Sequence, residues 1–394
     1  MKIVMYSNYL NHHQIPLAEA FGKIPGVEYI FAATMPFDTN RAKMGYKDEN
    51  NRHDFVLRTY ESKENEKKAR ELSRSADIVI VGSADDVYMS ERIRDGKTTF
   101  HASERYFRKG LNIRTIPRYY LSAMKHIRPY QGKTLYYLCA SAYTARDVNL
   151  FTRFPDRCFK WAYFTETENR PEGELFGRKR ENEVPILLWV GRFIDLKHPD
   201  AALRAAYQLK KNGYSFRMNM IGDGEMADKL RAITRDLGLE NTVCFLGFLS
   251  REKVREQMEN ADIFLLTSDF NEGWGAVLNE AMSCGCTPVA SHACGSALFL
   301  IRDGVNGFLY ENGNEYDLIR KSGILLSNRE KRENMGRAAW RDLQQTWNAT
   351  TAAERLIQLN EAIPEGKARN LFAEGPCSPA QILRNGWYKA YAGR

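Results

Sequence analysis

Pro185-Ile-Leu-Leu-Trp-Val-Gly-Arg-Phe-Ile-Asp-Leu-Lys-His-Pro199 decides how the second half of this 394-residue chain folds. Ile186–Val190 is an unbroken apolar run of strand length, and a helix follows Pro199. That strand–loop–helix order is the unit from which parallel sheets covered by helices are built. It recurs downstream. Phe216–Ile221, Val243–Phe245, Ile263–Thr267 and Pro288–Ala290 read as strands separated by helical stretches. Glu330–Ile363 is helical with mixed charge, and an amphipathic piece, Pro379–Tyr391, follows a Gly-Pro break. Upstream, Thr165–Glu183 is polar, charged and poor in apolar residues, the composition of a linker. Before it the alternation is present again, with strands expected at Met1–Ser7, Tyr29–Thr34, Ile78–Gly82, Thr98–His101 and Leu135–Ala140.

The expected fold is therefore α/β, with two doubly wound, Rossmann-like domains. The first covers residues 1–164, a hinge 165–183 and the second domain 184–365. A C-terminal segment, 366–394, is expected to return to the first domain. In such sheets ligands bind at the carboxyl ends of the strands, in the cleft between the domains.

Composition excludes several classes. Hydrophobic residues at 43% and charged residues at 27% are globular proportions. No window approaches 18 consecutive apolar residues, and the N-terminus lacks the pattern of a secretion signal, so a cytoplasmic location is expected. The seven cysteines read as reduced, buried thiols. Cys284, Cys286, His292 and Cys294 have the ligand types of a zinc site but no CxxC pair, and small residues packed at a helix–strand turn are expected instead. The net charge of +8 is uneven. Residues 1–150 hold 24 Lys/Arg against 17 Asp/Glu, and 105–133 hold eight Lys/Arg and no acid, interleaved with Tyr106, Phe107, Tyr119, Tyr120 and Tyr130. Such a stretch suits an anionic membrane surface or an anionic acceptor, or is a solvated face. No recognised nucleic-acid module accompanies it, so no nucleic-acid partner is expected.

The sharpest chemical signal is Asn271-Glu-Gly-Trp-Gly-Ala-Val-Leu-Asn-Glu280. Glu272 falls in the loop after Ile263–Thr267. A helix begins near Gly275 and puts Glu280 about a turn and a half inside it. Glycine allows close backbone approach, and the N–H groups of Gly275, Ala276 and Val277 would face an anion at the helix start. Carboxylates are acceptor-only, so Glu272 suits sugar hydroxyls and Glu280 a ribose diol. Trp274, between them, is a further donor-binding candidate. Arg192 and Lys197, on the loop after Ile186–Val190, supply the cations that a departing pyrophosphate needs. The alternative is plain: surface charges and a helix-start acid. Asp223 is expected to cap a helix beginning near Glu225.

These residues resemble the family 4 glycosyltransferases, of GT-B fold, whose hallmark is two acids separated by seven residues, here Glu272 and Glu280. The resemblance runs over roughly 185–312 and takes in Ile221-Gly-Asp-Gly224, Phe245-Leu-Gly-Phe248, Ala261-Asp-Ile-Phe-Leu-Leu266, Glu280-Ala-Met-Ser-Cys-Gly285 and Asp303-Gly-Val-Asn-Gly307. It implies that Arg192 and Lys197 hold the donor diphosphate, Glu280 the ribose and Glu272 the transferred sugar. Backbone near Gly247, Phe248 and Leu249 would meet the base. It further implies transfer with retention, a nucleotide-sugar co-substrate of UDP or GDP type and no bound metal. No Asp-x-Asp pair is present.

The first half resembles the family less. Its first loop, Ser7-Asn-Tyr-Leu-Asn-His-His-Gln14, has no glycine where the family commonly has a glycine-rich turn. Asn11, His12 and His13 are candidates for the acceptor or the donor phosphate, with helix capping by Asn11 as the structural alternative. Asp85, after Ile78–Val81, and His101, on the loop after the next strand, are further cleft candidates. The resulting expectation is a retaining, metal-independent transferase acting on a glycan or lipid-linked glycan in cell-envelope polysaccharide synthesis, peripheral at the inner membrane face. The alternatives are a soluble transferase with a small anionic acceptor and a catalytically silent sugar-nucleotide-binding scaffold.

Overall fold

Lys2–Ser7 (β1) is buried from its second residue onward, as a central strand covered on both faces must be. The computed structural model describes residues 1–38, 47–108, 110, 113–167, 170–384 and 386–388, and they divide into two compact units.

The first unit comprises Met1–Glu166 and Trp347–Arg384. Its other strands are Glu28–Ala33 (β2), Val56–Arg58 (β3), Ile78–Val81 (β4), Thr99–Ser103 (β5), Leu135–Cys139 (β6) and Cys158–Lys160 (β7). All pair in parallel, in the order β3-β2-β1-β4-β5-β6-β7. Ile15–Gly22 (α1), Lys63–Ser75 (α2), Val87–Arg94 (α3), Ile116–His126 (α4) and Thr144–Val148 (α5) connect them. Val4, Tyr6, Val79, Val81 and Tyr137 form the centre of one apolar core. Arg92 is buried against it, and its guanidinium donates to the carbonyls of Ser73, Ala76, Asp77 and Thr98. It thereby satisfies chain ends that have no ladder partner. That burial brings its pKa down to about 10.

The second unit comprises Thr167–Thr346 and the described residues 386–388. Ile186–Val190 (β8), Arg217–Ile221 (β9), Val243–Gly247 (β10), Ile263–Leu266 (β11), Thr287–Ser291 (β12) and Phe308–Tyr310 (β13) form a parallel sheet ordered β10-β9-β8-β11-β12-β13. Its helices are Glu172–Arg180 (α6), Pro199–Lys211 (α7), Ala227–Asp236 (α8), Arg251–Asn260 (α9), Val277–Ser283 (α10), Ala297–Leu300 (α11), Glu315–Ser327 (α12) and Arg329–Gln345 (α13). Leu187, Trp189, Met218, Met220, Ile263, Leu265 and Val289 lie in its core. The chain then re-enters the first unit as Ala349–Ala362 (α14), which packs on α1.

Three expectations about organisation need correction. The stretch 165–183 is not a bare linker. Outside residues 168 and 169, which are not among the described residues, it holds α6, a working part of the second unit. Leu175 and Phe176 are each 1% exposed, and Lys179 donates to the carbonyls of Met258 and Ala261. Glu172 meets Arg337 and Arg341 at 2.8 Å. Two apolar residues suffice here because the charges around them are paired, so the buried face is too narrow to show as periodicity. The return to the first unit begins at Trp347, not after 365. Residues 386–388 leave it again for the second unit; the rest of the expected amphipathic piece, Asn385 and 389–391, lies outside the described residues. Finally β3, β7 and β13 were not anticipated. Each is three residues long at a sheet edge, too short for a period to be read.

Candidate functional site

The loops that leave β8, β9, β10 and β11 meet at the carboxyl edge of the second sheet, and glycines decide how closely. Gly222 has φ +137, and a Cβ there would stand 1.9 Å from the Gly191 carbonyl oxygen. Gly224, at φ +155, would place one 2.6 Å from the Phe193 oxygen. The two turns are therefore bonded backbone to backbone, Phe193 N–H to Asp223 O at 2.9 Å and Met226 N–H to Phe193 O at 3.0 Å. This fixes the loop that carries Arg192 and Lys197. Asp223 does not cap α8, which starts later, at Ala227, with Met226 at its N-cap; its carboxylate accepts from the Gly224 N–H instead.

Arg192 is exposed and its guanidinium has no ion pair among the described residues. Lys197 ends a short 3-10 turn, Asp195–Lys197, and its ammonium forms an ion pair with Glu272. Three further bonds lock the β8 and β11 loops together. Thr267 Oγ1 donates to the Lys197 carbonyl (2.6 Å) and accepts from Trp189 Nε1 (2.9 Å), and Asp269 N–H donates to the Leu196 carbonyl (3.0 Å). Ser268 Oγ donates to the same Glu272 oxygen at 3.1 Å.

His198, in the left-handed region at φ 46, lies with Nε2 3.3 Å from Asp269 Oδ2. That bond lifts the imidazole above its ordinary pKa. Burial alone would raise the Asp269 carboxyl, but hydrogen bonds from His198 and Asn271 outweigh it and hold the group below its ordinary value. Sequence reading missed Ser268, Asp269 and His198. The signal was a run of polar residues directly after an apolar strand.

Glu280 is the fourth residue of α10, one turn in, and half-buried. Burial pushes its carboxyl up, partly offset by Arg251 and Arg255 on α9. The Gly247–Leu249 turn precedes α9; Gly247 has φ +67 and Phe248 is 69% exposed. The first bond of the α10 turn runs from the Leu278 N–H to the Gly275 carbonyl (3.0 Å). The N–H groups of Gly275, Ala276 and Val277 therefore precede the helical ladder.

Two parts of the 271–280 reading change. Trp274 is a core residue, 1% exposed, its indole N–H donating to Asn279 at 2.8 Å, so its ring offers no ligand surface. Gly275 has φ +81, and the side a Cβ would occupy is filled by Cys294 Sγ at 2.7 Å. Glycine is demanded there by the protein's own packing. The Cys294 thiol donates to the Trp274 carbonyl and that of Cys286 to the Met258 carbonyl. Among the described residues no three His, Cys, Asp or Glu side chains are grouped to hold a metal.

In the first unit, Asn11 opens a 3-10 turn, and its N–H donates to Gln14 Oε1 at 2.9 Å. His12 meets His13 edge-on, and His13 stacks on Tyr163 with centroids 4.3 Å apart. The Tyr163 hydroxyl donates to Glu104 at 2.5 Å. His12 and His13 thus join the 104 and 163 segments in one half-buried cluster. His101 is not on a loop. It lies within β5, paired to Tyr137 across the ladder, with Nε2 3.1 Å from the Tyr106 hydroxyl. Burial holds its pKa below the ordinary value, and packing explains its place. Asp85 closes an Asx turn, accepting from the Val87 N–H at 3.0 Å. It also lines a recess of about 550 Å³ with Thr34, Tyr60, Arg70, Ser83 and Tyr88, at the carboxyl ends of β2, β3 and β4.

The basic stretch 105–133 is smaller than its composition suggests, and residues 109, 111 and 112 lie outside the described residues. Arg105 is buried, its guanidinium 3.3 Å from Asp147, and Arg108 pairs with Glu104. Phe107 and Tyr130 are core residues. Arg114, Arg118, Lys125, Arg128 and Lys133 remain exposed. Beside them stand Ile113, Ile116, Tyr120 and Leu121, at 88, 42, 46 and 66% exposure. No helix of the described residues is long and apolar enough to cross a membrane.

Residues 173–342, which contain the whole second-unit constellation, match the family model described as glycosyl transferases group 1. This stretch, less than half of the chain, is similar to that family. A D-inositol 3-phosphate glycosyltransferase of Geodermatophilus obscurus is 30% identical over 210 residues, covering 49% of this chain and 46% of that protein. The sulfoquinovosyl transferase SQD2 of Arabidopsis thaliana is 29% identical over 199 residues, 50% of this chain and 37% of its own. The matched stretch thus spans less than half the length of either relative. Among solved structures, HepE of Anabaena in complex with UDP has a TM-score of 0.66 at 15% identity, covering 92% of this chain and all of its own. The lipopolysaccharide outer core galactosyltransferase WaaB has 0.64 at 17%, covering 93% and 100%. At such identities the likeness is one of fold, and the fold is GT-B.

Proposed function

We propose that the chain is a retaining glycosyltransferase, moving a sugar from a nucleotide diphosphate to a hydroxyl of a glycan or lipid-linked glycan, in cell-envelope polysaccharide synthesis. The observation that carries this reading is the joining of Lys197 to Glu272, on a loop that also carries an exposed Arg192 with no ion pair among the described residues, within the stretch that matches the group 1 model. Bond breaking at the anomeric carbon moves negative charge onto the diphosphate. Arg192, Lys197 and the N–H groups at Gly275–Val277 would take that charge up, so the reading is of transfer without a bound metal. Glu272 would accept from hydroxyls of the transferred sugar and Glu280 from the ribose. The Gly247–Leu249 turn would meet the base. UDP is favoured over GDP because HepE, of the same fold, is described with UDP.

A hydroxyl-rich recess with Asp85, an Arg70–Glu66 ion pair and flanking tyrosines suits a sugar residue of the acceptor. The exposed apolar and basic residues around α4 suit an anionic bilayer surface, which is the place for a lipid-linked acceptor. A second reading, a small anionic acceptor, is favoured by the relatives named as D-inositol 3-phosphate glycosyltransferases. A catalytically silent binder would keep the donor site but turn nothing over.

The test is a thermal-shift screen over UDP- and GDP-sugars, followed by release of nucleotide from the best ligand. Stabilisation of about 2–4 kcal/mol is expected at saturating donor. Binding or turnover left unchanged in both Glu272→Ala and Arg192→Ala would remove the assigned site, and binding without turnover on any acceptor would leave the silent binder.

A further inference from the structure

The chain leaves the first unit after Arg384, and Gly386-Trp-Tyr388 sits in the second. Tyr388 is 4% exposed there. Its hydroxyl donates to the Leu309 carbonyl at 2.8 Å, accepts from the Lys321 ammonium at 2.6 Å and lies 3.1 Å from Asp317. Its ring stacks on the imidazole of His292, with centroids 4.8 Å apart and planes 24° from parallel. Trp387 meets the same imidazole edge-on at 6.1 Å. The imidazole is itself held in orientation, since the Asn312 N–H donates to its Nδ1 at 3.0 Å. It also abuts Phe270, edge-on at 5.5 Å.

Phe270 is the point that gives these contacts meaning. It lies between Asp269, the partner of His198, and Glu272, the partner of Lys197. This segment carries no regular element of its own, running in turns from the end of β11 to the start of α10. Its geometry depends on a few backbone bonds, Asp269 N–H to Leu196 O and Glu272 N–H to Asp269 O, and on side-chain contacts, of which the imidazole–phenyl contact is one.

We infer that Trp387 and Tyr388 are positioning residues for the Glu272 segment: they clamp His292, and His292 in turn seats Phe270 and the carboxylate two residues beyond it. That the seated segment holds a donor rests on the function proposed above; the seating itself does not. The hydroxyl's bonds satisfy a buried polar group, as a buried tyrosine requires, and the stacked ring is the part that meets the imidazole.

The experiment compares the full chain with a variant ending at Arg384 and with Tyr388→Ala, Trp387→Ala and Tyr388→Phe. Amide hydrogen exchange over residues 267–275 is one readout, and titration with UDP and with GDP is the other. Loss of the tail or of the Tyr388 ring should speed exchange over 267–275 by about tenfold or more, while strands β8, β9 and β11 keep their protection. The better-bound nucleotide should weaken in parallel. Tyr388→Phe keeps the stacked ring and should restore most of both. Unchanged exchange over 267–275 without the tail would overturn the inference, as would loss of protection spread evenly through the second unit in all three disruptive variants. If the full chain binds neither UDP nor GDP, the donor reading fails while the exchange data still decide the clamp.

Discussion

Lys197 and Glu272 lie 75 residues apart in sequence, yet their side chains form an ion pair because the loops bearing them leave adjacent parallel strands, β8 and β11. Both side chains are mostly buried, at 16 and 15% exposure. Removing either partner strands the other. Lys197→Ala and Glu272→Ala should each cost about 1–3 kcal/mol of stability in thermal or denaturant melts. The double variant Lys197→Met/Glu272→Leu should melt above either single one. Each single change should also lower turnover by about 10²- to 10³-fold, read as nucleotide release.

His198 and Asp269 give the second unit a pH signature. The imidazole is raised, so its contribution is complete below its unfolded pKa, about 6.5, and is lost as pH rises through the folded value. The carboxyl is lowered, so its contribution is complete above its unfolded pKa, about 3.9, and is lost as pH falls through the folded value. The pair therefore stabilises most between about pH 4 and 6.5. Melting temperature against pH should show this in the wild type and flatten in His198→Asn, a residue that tolerates the left-handed backbone.

Gly222 admits no side chain. A Cβ at 1.9 Å from the Gly191 oxygen must push the β8 and β9 loops apart. Gly222→Ala should cost about 3 kcal/mol or more. Donor affinity should fall with it, because Arg192 sits one residue after Gly191. Gly213→Ala has open space around its Cβ, at φ +87. It should cost only the backbone strain, about 1–2 kcal/mol in the same melts.

The α4 surface should bind vesicles containing phosphatidylglycerol and ignore neutral phosphatidylcholine ones. Arg118→Ala and Lys125→Ala should each weaken flotation by about fivefold, near 1 kcal/mol per charge. Leu121→Glu should abolish it. Equal binding to both vesicle types would remove the membrane from the proposal.

Much of the architecture was legible because strands of a doubly covered parallel sheet are continuous apolar runs: ILLWV at 186–190 and IFLL at 263–266 are examples. The second-unit candidates were legible for a related reason. Arg192, Lys197 and Glu272 each follow such a run by a short interval, on loops that leave one edge of one sheet, while Glu280 lies within α10. What failed was reading in the absence of such a frame. Helix α6 looked like linker because its buried face is Leu175 and Phe176 set among paired charges. Arg105 looked like patch because composition cannot show the buried Asp147 that meets it. Trp274 looked like a donor contact because nothing local marks Asn279 as its indole's partner.

The sequence by itself determined the alternation of strand and helix, the presence of two units and which charged residues stand on loops at strand ends, since these follow from local period and order along the chain. Only tertiary structure decided that Lys197 is held by Glu272 while Arg192 is not, that Gly275 is required by Cys294, and that the tail reaches His292. Each of these depends on which loops share an edge, and that is set by strand order, β10-β9-β8-β11-β12-β13, which no local period encodes.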